Sequence, residues 1–150
     1  MADASVKAGF EQAGAIPWRW NDRGPEILLI TSSSGDRWIV PKGWIERGAS
    51  PAQCAVEEAF EEAGVRGVLS SKEPLGVFGF KRGRRERPIV IFLLEVLHVH
   101  DRWPDKELRR RAWLSPEKAA GKVRDSGLRE LISTVGERLV RASRSTKRRR

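Results

Sequence analysis

Four glutamates crowd the carboxyl end of one short, sharply bounded helix, and this constrains the chain more than any other feature. Ser50 followed by Pro51, with Gln53 three places after the serine, spells an N-cap, a proline at the first helical position and a capping-box partner. Gly64 can take the left-handed backbone that ends a helix. The spacing therefore predicts a helix over Pro51–Ala63. Wound at about 100° per residue, it gathers Ala55, Val56, Ala59, Phe60 and Ala63 on one side and Glu57, Glu58, Glu61 and Glu62 on the other. Glu57 with Glu61, Glu58 with Glu62 and Glu58 with Glu61 are like-charge neighbours, each costing about 0.2–0.5 kcal/mol. They also sit where the helix dipole prefers cations. A divalent cation against that face would offset all of these terms, and magnesium suits a few carboxylates together with waters and phosphate oxygens. By spacing alone, a solvated acidic face explains the quartet equally well.

Around that helix the chain reads as a mixed α+β domain. Ala15–Trp20, Glu26–Thr31 and Arg37–Val40 are rich in Ile, Leu, Val and Trp and are predicted strands, with SSSGD as turn chemistry between the last two. Further strands are expected near Leu75–Phe80, Ile89–His98 and Arg111–Leu114. Leu128, Leu131, Ile132, Val135, Leu139 and Val140 recur at the spacing of a closing helix. Several strands irregularly interleaved with few helices argue against a doubly wound parallel sheet.

The chain has 150 residues, enough to close one core without disulfides or a structural metal. Its longest purely apolar run, Ile89–Leu94, is far too short to span a bilayer, so no membrane partner is expected. The opening MADASVKAGFEQ has no apolar leader segment, and Cys54 stands alone, so a cytoplasmic setting is expected. Of the 29 basic residues, six fall in the last ten positions; without them, 23 face 20 acidic ones. That run reads as a solvated tail, and contact with nucleic acid through it is the less favoured alternative. The expected organisation is a flexible segment over 1–13, a domain over 14–141 and a basic tail over 142–150.

Gly43 to Val65, GWIERGASPAQCAVEEAFEEAGV, resembles the Nudix box: Gly, five residues, Glu, seven residues, then Arg-Glu-hydrophobe-any-Glu-Glu-any-Gly-hydrophobe. Glu58, Ala59, Glu61, Glu62, Gly64 and Val65 fall in register with Gly43. Ala49 and Glu57 depart from the pattern, standing where the family has a glutamate and an arginine that pair to brace the loop on the helix. Both halves of that pair are lost together, so neither is left unpaired. The resemblance extends through SSSGDRWIVPKG, EEAGVRGVLSSKEPLGVF and RRRAWLSPEKAAGKV and is nearest the diphosphoinositol polyphosphate and dinucleoside polyphosphate hydrolase branch. It implies an α/β/α sandwich with helices on both faces of a mixed sheet. It further implies Mg2+, or Mn2+, held by Glu58, Glu62 and the Gly43 carbonyl, with Glu61 as general base, and hydrolysis of a diphosphate bond in a small polyphosphorylated substrate. A catalytically weak protein of the same fold that binds a phosphorylated ligand or RNA is the alternative.

For the anionic substrate, Lys42 and Arg47 flank the metal loop. Lys81, Arg82, Arg84 and Arg85 belong to a basic stretch between two predicted strands, and Arg19 is a candidate from the first strand. His98 and His100 lack a third metal ligand nearby and read as surface residues. Trp44, beside the metal loop, is a candidate for stacking on a base, with packing as its ordinary role.

Overall fold

The computed structural model of the chain describes residues 10–81 and 84–148. Strands β1 (Gln12–Asn21) and β2 (Gly24–Thr31) form a hairpin in which Trp18 lies opposite Ile27 and Asn21 opposite Gly24. Two short strands add to β2, namely β3 (Trp38–Ile39) and a later segment, Arg111–Leu114, both antiparallel. Along the edge it shares with β2, β1 also takes the antiparallel β4 (Lys42–Trp44) at Gln12–Gly14, and its other edge runs parallel to the long strand Arg84–Val99. That long strand pairs with β5 (Val65–Leu69) and β6 (Gly76–Lys81), so it is β7, and Arg111–Leu114 is β8. One mixed eight-stranded sheet results, running β3-β2-β1-β7-β5.

Side chains alternate across a strand, so a sheet covered on both faces must be apolar at odd and even positions alike. Here Ala13 and Ala15, Leu28 and Ile30, and Val90, Phe92 and Leu94 face helix α1 (Pro51–Ala63) through Cys54, Ala55, Ala59 and Ala63. The intervening Ile16 and Trp18, Ile27 and Leu29, and Ile89 and Ile91 face the opposite way. There they meet α2 (Pro116–Lys122) and α3 (Ser126–Arg148) through Ala119, Val123, Leu128, Ile132 and Val135. Fully burying a side chain such as Phe92 or Ile16 contributes about 1.5–3 kcal/mol. The architecture is the expected helix–sheet–helix sandwich.

Helix α1 forms where the sequence places it. Ser50 Oγ accepts from Gln53 N at 3.1 Å, and Gln53 Oε1 accepts from Ser50 N at 2.9 Å. Gly64 adopts φ 69° and donates its N–H to Phe60 O at 2.9 Å. The closing helix continues beyond Val140 to Arg148, through the stretch read as a tail. The apolar rhythm stops near Val140, yet no glycine or proline follows to break the helix, and basic residues suit its carboxyl end.

Candidate active site

The acidic end of α1 is fixed from outside the helix. The last carbonyls of a helix lack intrahelical partners, and here the segment between β7 and β8 supplies them. Asp105 N donates to Glu61 O at 3.0 Å, Trp103 Nε1 to Glu62 O at 3.2 Å, and Arg111 Nη1 to Ala63 O at 3.0 Å. His100 N donates to Gly64 O at 2.8 Å. Thr31 N donates to Arg110 O at 3.0 Å and Arg110 N to Thr31 Oγ1 at 2.9 Å, which ties the same segment to the end of β2 and brings Arg109 over the helix.

The four glutamates then separate by environment. Glu57 and Glu61 are exposed, Glu58 is half-buried, and Glu62 is only 9% exposed. Glu62 Oε1 accepts from Lys42 N at 2.9 Å, and Oε2 pairs with Arg109 Nη2 at 2.9 Å. Arg109 also donates from Nε to Asp105 Oδ2 at 2.9 Å and from Nη1 to Thr31 O at 3.1 Å. Burial pushes the Glu62 carboxyl up, while the Lys42 N–H and Arg109 oppose that rise. Glu58 is pushed up to about 7, first by burial and then by the charges of Glu62, Glu61 and Asp105. Its carboxylate lies against the backbone of Gly43, where a Cβ would stand 2.5 Å from Glu58 Cδ. Only glycine lets β4 and α1 approach this closely.

Beside Glu62 opens a cleft of about 320 Å³ whose lining includes Ser32, Arg37, Lys42, Arg109 and Arg124. Glu62 is part of the same wall, so the acidic helix end and a cationic recess share one side chain. The structure thus brings Lys42 to Glu62 and Gly43 to Glu58. Arg47 is exposed and lines a separate cleft past Trp44. Arg19 is not brought to the recess: its Nε pairs with Glu26 at 3.0 Å, and its guanidinium stacks 3.9 Å from the Trp113 ring. Arg82 lies outside the described residues, as do the side chains of Lys81, Arg84 and Arg85. Arg37, Arg109 and Arg124 escaped the sequence reading. The run Arg109–Arg111 ahead of a predicted strand was the available signal for one of them.

A sequence model of the NUDIX domain matches residues 11–134, most of the chain. The chain belongs to the Nudix family. Diphosphoinositol polyphosphate phosphohydrolase 3-alpha of Mus musculus is 40% identical over 114 residues, spanning 74% of this chain and 68% of that protein. Nudix hydrolase 4 of Arabidopsis thaliana is 32% identical over 136 residues, spanning 83% of this chain and 65% of that protein. The crystal structure of a C. elegans Ap4A hydrolase binary complex superposes with a TM-score of 0.72 at 19% identity, covering 87% of this chain and 98% of that one, a likeness of fold.

Nudix hydrolases generally use divalent metal ions, and the donor set here is compatible with one. Among the described residues no three His, Cys, Asp or Glu side chains converge as a ready cage. A hard cation that keeps several waters and takes substrate phosphates needs only one or two carboxylates. Glu58 pressed against the side-chain-free Gly43 offers oxygen donors at one place. Glu62 Oε1 accepts one hydrogen bond, from Lys42 N, and Oε2 one, from Arg109 Nη2, and a carboxylate oxygen has two lone pairs.

Proposed function

We propose that this Nudix hydrolase splits a phosphoanhydride bond in a small polyphosphorylated substrate, with Mg2+ as its metal and Mn2+ as a substitute. The carrying observation is that Glu62 belongs at once to the acidic end of α1 and to the wall of a recess bearing Arg37, Lys42, Arg109 and Arg124. A phosphate-rich chain seated on those cations has its anhydride beside the glutamates. The names of the similar proteins, a diphosphoinositol polyphosphate phosphohydrolase and an Ap4A hydrolase, agree with that substrate class.

In this reading Glu58, Glu62 and the Gly43 carbonyl hold the ion. When bound, it neutralises charge on the diphosphate and orients it. Glu61, exposed next to Glu62 on α1, takes a proton from water as the water oxygen bonds to phosphorus. The bridging P–O bond breaks, and its electron pair leaves with the departing phosphate or phosphate ester. Lys42 and Arg37 bind the chain, and Arg109 keeps Glu62 turned toward it.

Magnesium-dependent turnover of a panel of diphosphoinositol polyphosphates, dinucleoside polyphosphates and nucleoside triphosphates tests the reading. Glu61→Gln and Glu62→Gln should each lower kcat by at least about a hundredfold. Undiminished turnover in both variants would remove the assigned mechanism.

A further inference from the structure

Resting on that reading, we propose that Arg111 and Trp103 are positioning residues: from outside α1 they hold its last turn, and with it the glutamates, in the geometry that hydrolysis needs. Like charges at Glu58, Glu61 and Glu62 work to unwind that turn, and α1 has no basic residue in its last turn to favour the end of its dipole. The capping box fixes the first turn only. Among the described residues no ion pair joins the preceding loop to the helix, since Ala49 is uncharged and Glu57 is exposed. The restraint has to come from elsewhere in the fold.

It comes from the crossing between β7 and β8. Arg111, the first residue of β8, forks between two elements. Its Nη1 donates to Ala63 O at 3.0 Å and to Gly64 O at 3.4 Å, and its Nη2 donates to His100 O at 2.7 Å. The guanidinium carbon lies 3.9 Å from the centroid of the Trp103 ring, whose Nε1 donates to Glu62 O at 3.2 Å. Two stacked side chains thus meet three consecutive carbonyls at the end of α1. They close over Gly64 so tightly that a Cβ there would stand 2.6 Å from Trp103 Cδ2 and 2.7 Å from Arg111 Nη1. Arg109 is the cation that pairs with a glutamate side chain, whereas the hydrogen bonds of Arg111 go to main-chain carbonyls. Arg111 therefore acts on the glutamates through the backbone that carries them. A planar fork stacked on a ring has one orientation, and a lysine ammonium offers neither the fork nor the stack. A shift of about 1 Å in a reacting group costs about a hundredfold, so a turn free to fray would carry Glu61 and Glu62 out of place.

Hydrogen exchange and steady-state kinetics on the full chain separate positioning from stability alone. In Arg111→Lys the amides of Glu61, Glu62 and Ala63 should exchange at least about tenfold faster, while those of α3 keep their rates. At a temperature where the variant is folded, kcat on the best-cleaved polyphosphate of the panel should fall about tenfold to a hundredfold, with KM within about twofold. Trp103→Phe keeps a ring under the guanidinium and removes the donor to Glu62 O, so it should show the same split at about threefold to tenfold. It also carries the test should Arg111→Lys fail to fold. Leu139→Ala, a packing loss in the core on the opposite face of the sheet, should lower stability and leave kcat unchanged. Unchanged kcat in either folded variant, or exchange that quickens equally in α1 and α3, would overturn the assignment. Failure of the hydrolytic reading has a different signature: the unmodified protein would cleave no polyphosphate with magnesium, while exchange in α1 would still respond to Arg111→Lys.

Discussion

Arg109 Nη2 and Glu62 Oε2 meet at 2.9 Å across 47 residues of sequence, with side chains only 13% and 11% exposed. Such a pair is worth little relative to apolar replacements, but breaking one half leaves a buried charge unpaired, typically at about 3–5 kcal/mol. Arg109→Met should therefore lower unfolding free energy by about that amount. Glu62→Gln in the same background should recover part of it, because the stranded carboxylate is gone. Urea denaturation of both single variants and the double variant provides the cycle. Strictly additive losses would mean that the contact carries no coupling.

Helix α1 was fully legible because its signals are local: the Ser50 cap, Pro51, Gln53 and Gly64 lie within the helix or beside it. The same logic applied to Ser115 and Pro116, whose helix α2 went unread. That helix has only seven residues and buries Ala119 and Ala120, too little for an apolar rhythm to register. Strand β5 was also missed, since it has Gly67 at its middle and exists by pairing with β7 nearly thirty residues on. Within the site, Gly43 and the glutamates were visible as a spaced pattern. Arg109 was not, because only the crossing from β7 to β8 carries it to Glu62. Arg19, a substrate contact by expectation, shares the side of β1 on which Ala13 and Ala15 face α1 and so points away from the cationic recess.

Gly43 should tolerate no side chain. Its φ is not in the left-handed region, so the penalty in Gly43→Ala is contact alone: the new Cβ would lie 2.5 Å from Glu58 Cδ. Displacing Glu58 by about 1 Å should cost about a hundredfold in kcat/KM. Overpacking should cost about 1–3 kcal/mol of stability. Introducing Glu58→Ala as well makes room for the methyl group, so thermal unfolding of the pair should show recovery of stability without recovery of turnover.

The metal-free protein should lose stability as pH rises from about 5 to about 7. Glu58 is pushed up to about 7 in the folded chain, whereas an unfolded glutamate releases its proton near the ordinary value of 4.5. Between those values the native state binds more protons than the unfolded one, so each step up in pH favours unfolding. Below the lower value and above the upper one, this contribution is flat. Glu58 is half-buried, so solvent screening makes the slope shallower than the shift alone implies. Thermal melts in EDTA at pH 5, 6, 7 and 8 should show the decline, and Glu58→Gln should reduce it. An unchanged slope in the variant would assign the effect to other groups.

Cys54 should be silent toward thiol reagents while the protein is folded. It sits in the first turns of α1, 4% exposed, and its Sγ lies 3.8, 3.6 and 3.5 Å from the carbonyl oxygens of Ala13, Gly43 and Trp44. Burial first, and then the charges of Glu58 and Glu57, push the thiol up to about 11. The thiolate is the nucleophile, so at about pH 8 only about one molecule in a thousand carries it, and that sulfur is covered. A carbonyl-lined pocket also repels an anion, which acts in the same direction. Labelling by iodoacetamide at pH 8 should then follow the rate of opening, not the reagent's intrinsic rate, and should accelerate sharply in urea. Cys54→Ser should leave turnover within about twofold if the sulfur only fills space, because the hydroxyl can donate to the same carbonyls. Rapid labelling of the native protein would mean that α1 lifts from β4, and with it Glu58 from Gly43.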